Sequence, residues 1–120
     1  MRRTVFCSLI LLSLTAGQAL ANAQLQASEP RDGAVLAQAP SKLRLRFTEI
    51  VRLPASGVQL TYPDGRRRLL RPLVQDPRDL LSVLAPLPAG LPPGRYVVGW
   101  RALSPVAHHT HGSFTFVIGR

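Results

Sequence analysis

Residues 94–118 read GRYVVGWRALSPVAHHTHGSFTFVI, in which two alternating apolar runs enclose a short polar segment. The apolar residues at alternate positions are Tyr96, Val98 and Trp100 in the first run and Phe114, Phe116 and Ile118 in the second. Successive side chains of a β-strand point to opposite faces of the sheet, so residues two apart share a face. Each run therefore predicts a strand that buries one face.

The same short alternation recurs along the rest of the chain. Candidate strands lie at residues 24–27, 42–48, 57–62, 67–70, 80–85, 95–102 and 113–118. No segment after residue 23 carries the apolar period of a long helix. The pattern predicts an all-β domain, an immunoglobulin-like Greek-key β-sandwich of about seven strands. The aromatic residues expected in its core are Phe47, Tyr96, Trp100, Phe114 and Phe116.

The N-terminus has the organisation of a secretory signal peptide. Two arginines precede a short apolar run, and the small-x-small motif Ala21-Asn22-Ala23 follows it. The apolar run is shorter than the roughly 20 residues that a membrane-spanning helix needs. We predict a signal peptide at residues 1–23 and one exported domain at residues 24–120, with cleavage after Ala21 as the alternative.

The chain is strongly basic, with a formal net charge of +9. Much of this charge alternates with apolar residues, as in KLRLRF at residues 42–47, which is typical of the solvent face of a half-buried strand. The dense run at residues 66–68 follows Asp64-Gly65 and is interpreted as a solvated hairpin turn, with attraction to an anionic surface as the alternative. Basic residues and aromatic residues are not gathered together, so no nucleic-acid partner is predicted.

All three histidines, His108, His109 and His111, lie within four consecutive positions between the two apolar runs. Imidazole is the commonest protein ligand of transition metals. The cluster therefore favours a metal site in what we expect to be a loop. Its alternative interpretation is polar filler in a solvated loop.

No enzymatic site is predicted. The one cysteine, Cys7, lies in the segment that is removed, so the mature domain has no thiol nucleophile, thiolate ligand or disulfide. A hydrolytic triad of Ser104 or Ser113 with a histidine and Glu49 can be drawn. Serines that flank strands are, however, usually structural.

Four segments carry motifs of one known family. They read SEPRDGA at residues 28–34, APSKLRLRFTE at 39–49, LPPGRYVVGWRALS at 91–104 and GSFTFV at 112–117. In order and spacing they resemble the S-x-P-x-D-G, P-x-x-L-x-L-x-F-S-E, L-x-x-G-x-Y-x-V-x-W-R-x-x-S and G-x-F-x-F-x-V motifs of the CopC-type copper-resistance domain. The resemblance covers nearly all of the predicted mature domain. It implies a small β-sandwich that handles copper in the periplasm.

The resemblance also implies a Cu(II) site. In the family, the ion is bound by a mature N-terminal histidine and by an aspartate and a histidine that follow the W-R-x-x-S strand. Matched without gaps, the second family histidine falls on His108, the aspartate on Val106 and the N-terminal histidine on Gln24. Glu49 matches an acid that lies near the Cu(II) site of some relatives. The family's methionine-rich Cu(I) site has no counterpart, because Met1 is the only methionine.

Two hypotheses follow. In the first, the domain is a periplasmic copper-binding protein, a carrier or buffer of Cu(II) in copper resistance or homeostasis, with an altered ligand set. His109 and His111, which share a face in an extended chain, then act as ligands, or His108 joins them, and the α-amine of Gln24 completes the set. In the second, the domain is a metal-free module that docks a protein or an anionic component of the envelope.

The resemblance further implies a separately encoded inner-membrane copper transporter as a partner of a mature domain without a membrane span. We also predict that Glu49 and His108 lie close together, since the family brings the strand ends before these two positions to one edge of the sandwich.

Overall fold

A computed structural model describes residues 23–106 and 108–119. The described residues form nine strands. They are β1 (Leu25–Glu29), β2 (Ala34–Leu36), β3 (Lys42–Phe47), β4 (Gly57–Thr61), β5 (Arg67–Leu69), β6 (Val74–Asp76), β7 (Asp79–Pro86), β8 (Gly94–Leu103) and β9 (His109–Ile118). A single 3₁₀ turn, Leu53–Ala55, is the helical element of this part of the chain. Residues 1–22 of the predicted signal peptide, including Cys7, lie outside the described residues, whereas its last residue, Ala23, is described.

The strands form two sheets that pack face to face. One sheet has the order β1-β3-β7-β6 and the other β2-β9-β8-β4-β5. The chain passes between the sheets after β1, β2, β3, β5 and β7. The pairs β4–β5, β6–β7 and β8–β9 are antiparallel neighbours within a sheet. The all-β sandwich predicted from the alternation is confirmed.

The core lies between the sheets and is built from the predicted faces. Tyr96 and Phe116 are fully buried and stack with their ring centroids 5.3 Å apart. Phe47 meets Trp100 edge to face, also at 5.3 Å. The expected burial of all five aromatic residues is confirmed, since Phe114 is buried as well. The Tyr96 hydroxyl donates a hydrogen bond of 2.5 Å to the Pro92 carbonyl, which satisfies the one polar group of the stack.

Two strands, β2 and β6, are absent from the sequence prediction, and each has only three residues. The strand β2 also pairs in parallel with the end of β9, from Ala34 opposite Phe116 to Leu36 opposite Ile118. A segment this short contains no complete alternation, so its strand conformation depends on the distant partner rather than on its own sequence.

The basic run forms the predicted hairpin between β4 and β5. The Tyr62 amide donates to the Arg66 carbonyl at 2.8 Å, and Gly65 adopts a φ of 93° that closes the turn. The Arg66 guanidinium lies 4.5 Å from the Tyr62 ring centroid and also bonds Asp64.

Within the described residues, no helix is long and apolar enough to cross a membrane.

Candidate metal centre

The histidine segment is a continuation of the β8–β9 hairpin rather than the expected loop. Strand β9 begins at His109, four residues before the predicted start at residue 113, because β8 pairs with it as far as Leu103 opposite His109. One step further, the Ser104 amide donates to the His108 carbonyl at 3.0 Å, and the His108 amide donates to Ser104 Oγ at 3.2 Å. The tip of the hairpin thus lies between Ser104 and His108, and Ala107 is outside the described residues.

This register separates the three histidines. Residues opposite each other in an antiparallel pair have their side chains on the same face of the sheet. Thr110 is opposite the fully buried Ala102, whereas His111 is opposite the exposed Arg101. His109 and His111 therefore belong to the outer face of the five-stranded sheet. The same register places His108, opposite the buried Ser104, on the side of Thr110 and the core.

The segment that leads into β1 runs along the core side of the histidine segment. The Thr110 hydroxyl donates to the Ala23 carbonyl at 2.6 Å. The Gln24 amide donates to Thr48 Oγ1 at 3.0 Å, and the Thr48 amide donates to the Gln24 carbonyl at 2.9 Å. Gln24 is thus held between the end of β3 and the beginning of β9.

Glu49 lies at this same end of the sandwich. It follows Thr48, which bonds Gln24, and it precedes Arg52, whose amide donates to the Leu103 carbonyl at 2.9 Å. Glu49 is half-buried, whereas Gln24 and His108 are exposed. The fold therefore brings Gln24, Glu49 and His108 to one end of the molecule. Direct contact between the side chains of Glu49 and His108 stays a prediction.

The donor set at this end is small. Among residues 23–106 and 108–119, no group of three or more histidine, cysteine, aspartate or glutamate side chains is placed to hold a metal ion. Val106, at the position of the family aspartate, is exposed and has no donor atom. A copper ion at this end can take the His108 imidazole and the Glu49 carboxylate, and it needs main-chain nitrogen or water for its other positions.

Other acidic residues are engaged elsewhere. The Arg78 amide and the Arg44 guanidinium hold the pKa of Asp76 below its usual range. The Ser82 hydroxyl and Arg46 do the same for Asp79, each at 2.8 Å from its Oδ2 atom. The charges of these two arginines and two aspartates balance one another on the outer face of the four-stranded sheet, away from the histidines. The set is Arg44, Arg46, Asp76 and Asp79.

Two residues outside the predicted ligand set shape the hairpin that carries the histidines. Ser104 is fully buried and its Oγ accepts the His108 amide, which is a structural role and not that of a nucleophile. Gly112 is opposite Trp100, and a Cβ atom at Gly112 would lie 2.7 Å from Trp100 Cζ2. A glycine inside a strand is a sequence signal for such a close approach.

The comparison with known protein families agrees with this architecture. Residues 25–119 match the model of the CopC domain. The chain belongs to the CopC family. This family comprises copper-binding resistance proteins rather than enzymes, and the expectation of a non-enzymatic protein is confirmed at that level.

Individual relatives show the same likeness over most of their length. Protein YobA of Escherichia coli strain K12 is 30% identical over 111 residues, which are 92% of this chain and 90% of YobA. The crystal structure of CopC from Methylosinus trichosporium OB3b superposes with a TM-score of 0.72 at 23% identity, over 82% of this chain and 94% of that one. PcoC, a methionine-rich copper-resistance protein from Escherichia coli, gives a TM-score of 0.69 at 29% identity, over 81% of this chain and 98% of PcoC.

Proposed function

We propose that this protein is a periplasmic copper-binding protein that carries or buffers Cu(II) in copper resistance or homeostasis. The observation that carries the proposal is the meeting of Gln24, Glu49 and His108 at one end of a CopC-family sandwich. The four family motifs in the sequence and the likeness to copper-resistance proteins also support the proposal. A signal peptide at residues 1–23 would deliver the protein to the periplasm, where a separately encoded inner-membrane copper transporter is its proposed partner.

The ligand set differs from that of the family. His108 supplies an imidazole, the nitrogen ligand that suits Cu(II) at neutral pH. Glu49 supplies a carboxylate that neutralises part of the ion's charge and orients the imidazole. An α-amine at or just before Gln24 provides a second nitrogen. With Gln24 and Val106 in place of two family ligands, the ion is held by fewer protein atoms, so we expect weaker binding than a complete family set gives.

The test is isothermal titration of Cu(II) into the mature protein and into the variant His108→Ala near neutral pH. Loss of the one imidazole on the core side should abolish binding at this end, because no other side chain there is a nitrogen ligand of comparable strength. If the variant binds as many equivalents of Cu(II) as the wild type, the proposed site is contradicted. Absence of any saturable binding in the wild type would favour the metal-free docking module instead.

A gain-of-function variant provides the control. Val106→Asp restores a carboxylate at the family position two residues before His108, and we expect Cu(II) affinity to rise on the order of tenfold or more. Val35→Asp adds the same charge at an exposed position of β2, opposite Val117 at the far end of β9. Equal effects of the two substitutions would indicate general charge attraction and not a ligand at position 106.

A further inference from the structure

His109 and His111 are not used by the site at the end of the sandwich. Both side chains are exposed, and they occupy successive outward positions of β9. With a rise of about 3.4 Å per residue, their Cα atoms lie roughly 7 Å apart along one face of the strand. Two imidazoles on that spacing can bend toward a single ion that lies between them.

The surroundings of this pair favour a cation more than the net charge suggests. Arg101 is opposite His111 and also opposite Gly57 on β4. Its Nη2 atom lies 3.9 Å from the position that a Cβ atom of Gly57 would occupy, so the guanidinium extends over β4 and away from β9. The absence of a side chain at Gly57 provides the room for this conformation. The charge of Arg101 is thereby displaced from His111 toward β4.

On the other edge of β9, strand β2 pairs only from Phe116 to Ile118. No strand of the described residues therefore flanks His109 and His111 on that edge. The residue of β8 that pairs with His109 is Leu103, which is uncharged. An ion held by the two imidazoles would therefore remain accessible to water and to a second protein.

We propose that His109 and His111 form a second metal site, a two-nitrogen chelate for a borderline divalent cation on the outer face of the five-stranded sheet. Cu(II) is the favoured ion, because nitrogen ligands bind it more tightly than the other divalent first-row metals. Two protein ligands leave the remaining coordination positions to water. Such an open site suits uptake and transfer of the ion, whereas a closed set of ligands suits retention. The site is independent of the proposed site at His108.

The spacing of the pair can be tested without changing the number of histidines. The substitutions His111→Ser and Ser113→His together leave two outward histidines four residues apart, which is too far for one ion. The substitutions His109→Ser and Ser113→His together move the pair along the strand and keep the two-residue spacing. Ser113 is an exposed, outward residue of β9, so both double variants retain the strand pattern.

Titration of Cu(II) into the full mature protein, with folding checked by circular dichroism, gives distinct outcomes. We expect two equivalents for the wild type and for the pair-shifted variant, and one equivalent for the variant with separated histidines. Equal stoichiometry in the two double variants would overturn the chelate. His108→Ala is the complementary measurement: if it loses one equivalent and the separated variant loses the other, both sites exist. If it loses none while the separated variant does, the site at the end of the sandwich fails and the chelate stands.

Discussion

At the scale of single residues, Gly112 shows how closely the histidine hairpin is fitted to the core. Its position opposite Trp100 leaves no room for a methyl group, since Trp100 Cζ2 and Cε2 would lie 2.7 and 2.9 Å from a Cβ atom. We expect Gly112→Ala to lower the free energy of unfolding by about 1–3 kcal/mol, because the indole must move within a packed core. Urea denaturation of the two proteins measures this difference.

Gly99 provides the matched control for that substitution. It lies on β8 one residue from Trp100, and a Cβ atom there would meet no atom within 4 Å. Gly99→Ala should change the stability by no more than about 0.5 kcal/mol, or raise it slightly by restricting the unfolded chain. Similar losses for both variants would show that strand flexibility, and not contact with Trp100, explains the Gly112 result.

At the scale of the elements, the sequence predicted the strands that carry a full alternation. Of the three strands with only three residues, it predicted β5, which follows the hairpin turn, and missed β2 and β6. The strands β3, β4, β7 and β8 lie within a residue or two of their predicted bounds. The beginning of β9 could not be predicted, because His109, Thr110 and Gly112 have no apolar alternation, and their strand conformation comes from pairing with β8.

The same limit applies to the candidate site. The clustering of the histidines and the family match of His108 were readable from the sequence. Their division between two faces was not, because a strand has to begin at a definite residue before alternation can assign a face to each side chain. The sharing of one face by His109 and His111, expected for an extended chain, matches the strand that the structure contains.

The entry of β1 gives a prediction about the mature N-terminus. Ala23 is fully buried, and its carbonyl accepts the Thr110 hydroxyl at 2.6 Å. Protein that begins at Asn22 should therefore be more stable than protein that begins at Gln24, by about 1 kcal/mol for a buried methyl group and one hydrogen bond. Urea denaturation of both forms tests this, and Thr110→Val should reduce the difference between them.

Mass spectrometry of the exported protein then shows which form the cell makes. The burial of Ala23 favours cleavage after Ala21, the alternative that the sequence offered. Cleavage after Ala23 would leave Gln24 first, and its cyclisation to pyroglutamate would remove the α-amine as a copper ligand. Equal stabilities of the two forms would remove the structural argument for the earlier cleavage.

At the scale of the whole molecule, the two sheets differ in how their charges are arranged. On the four-stranded sheet, Arg44 and Arg46 pair with Asp76 and Asp79, and all four side chains are partly shielded from water. On the five-stranded sheet, the outward residues include Arg101 and the two exposed histidines. The described ion pair that belongs to this sheet, Asp64 with Arg66, lies in the hairpin turn between β4 and β5. The chelate and the acid-sensitive ion pairs therefore lie on opposite faces of the sandwich.

This separation predicts two distinct pH transitions. Copper binding should weaken as the pH falls, because protons compete with the metal for the imidazole nitrogens. Folding should persist in mild acid. The pKa values of Asp76 and Asp79 are lowered in the fold, first by the Arg78 amide and the Ser82 hydroxyl and then by Arg44 and Arg46. The contribution of these two carboxylates to the folding stability is complete above their unfolded pKa of about 4. It is lost only as the pH falls through their lower pKa values in the folded protein.

Urea denaturation at a series of pH values, beside Cu(II) titration at the same values, resolves the two transitions. Asp79→Asn should lower the stability at neutral pH and weaken its dependence on pH in the acid range, because the variant has no carboxylate there to protonate. Asp64→Asn should change that dependence less, since Asp64 and Arg66 are well exposed to water and their pair is screened. Loss of copper together with unfolding, in one transition near pH 4, would mean that side chains other than the histidines hold the ion.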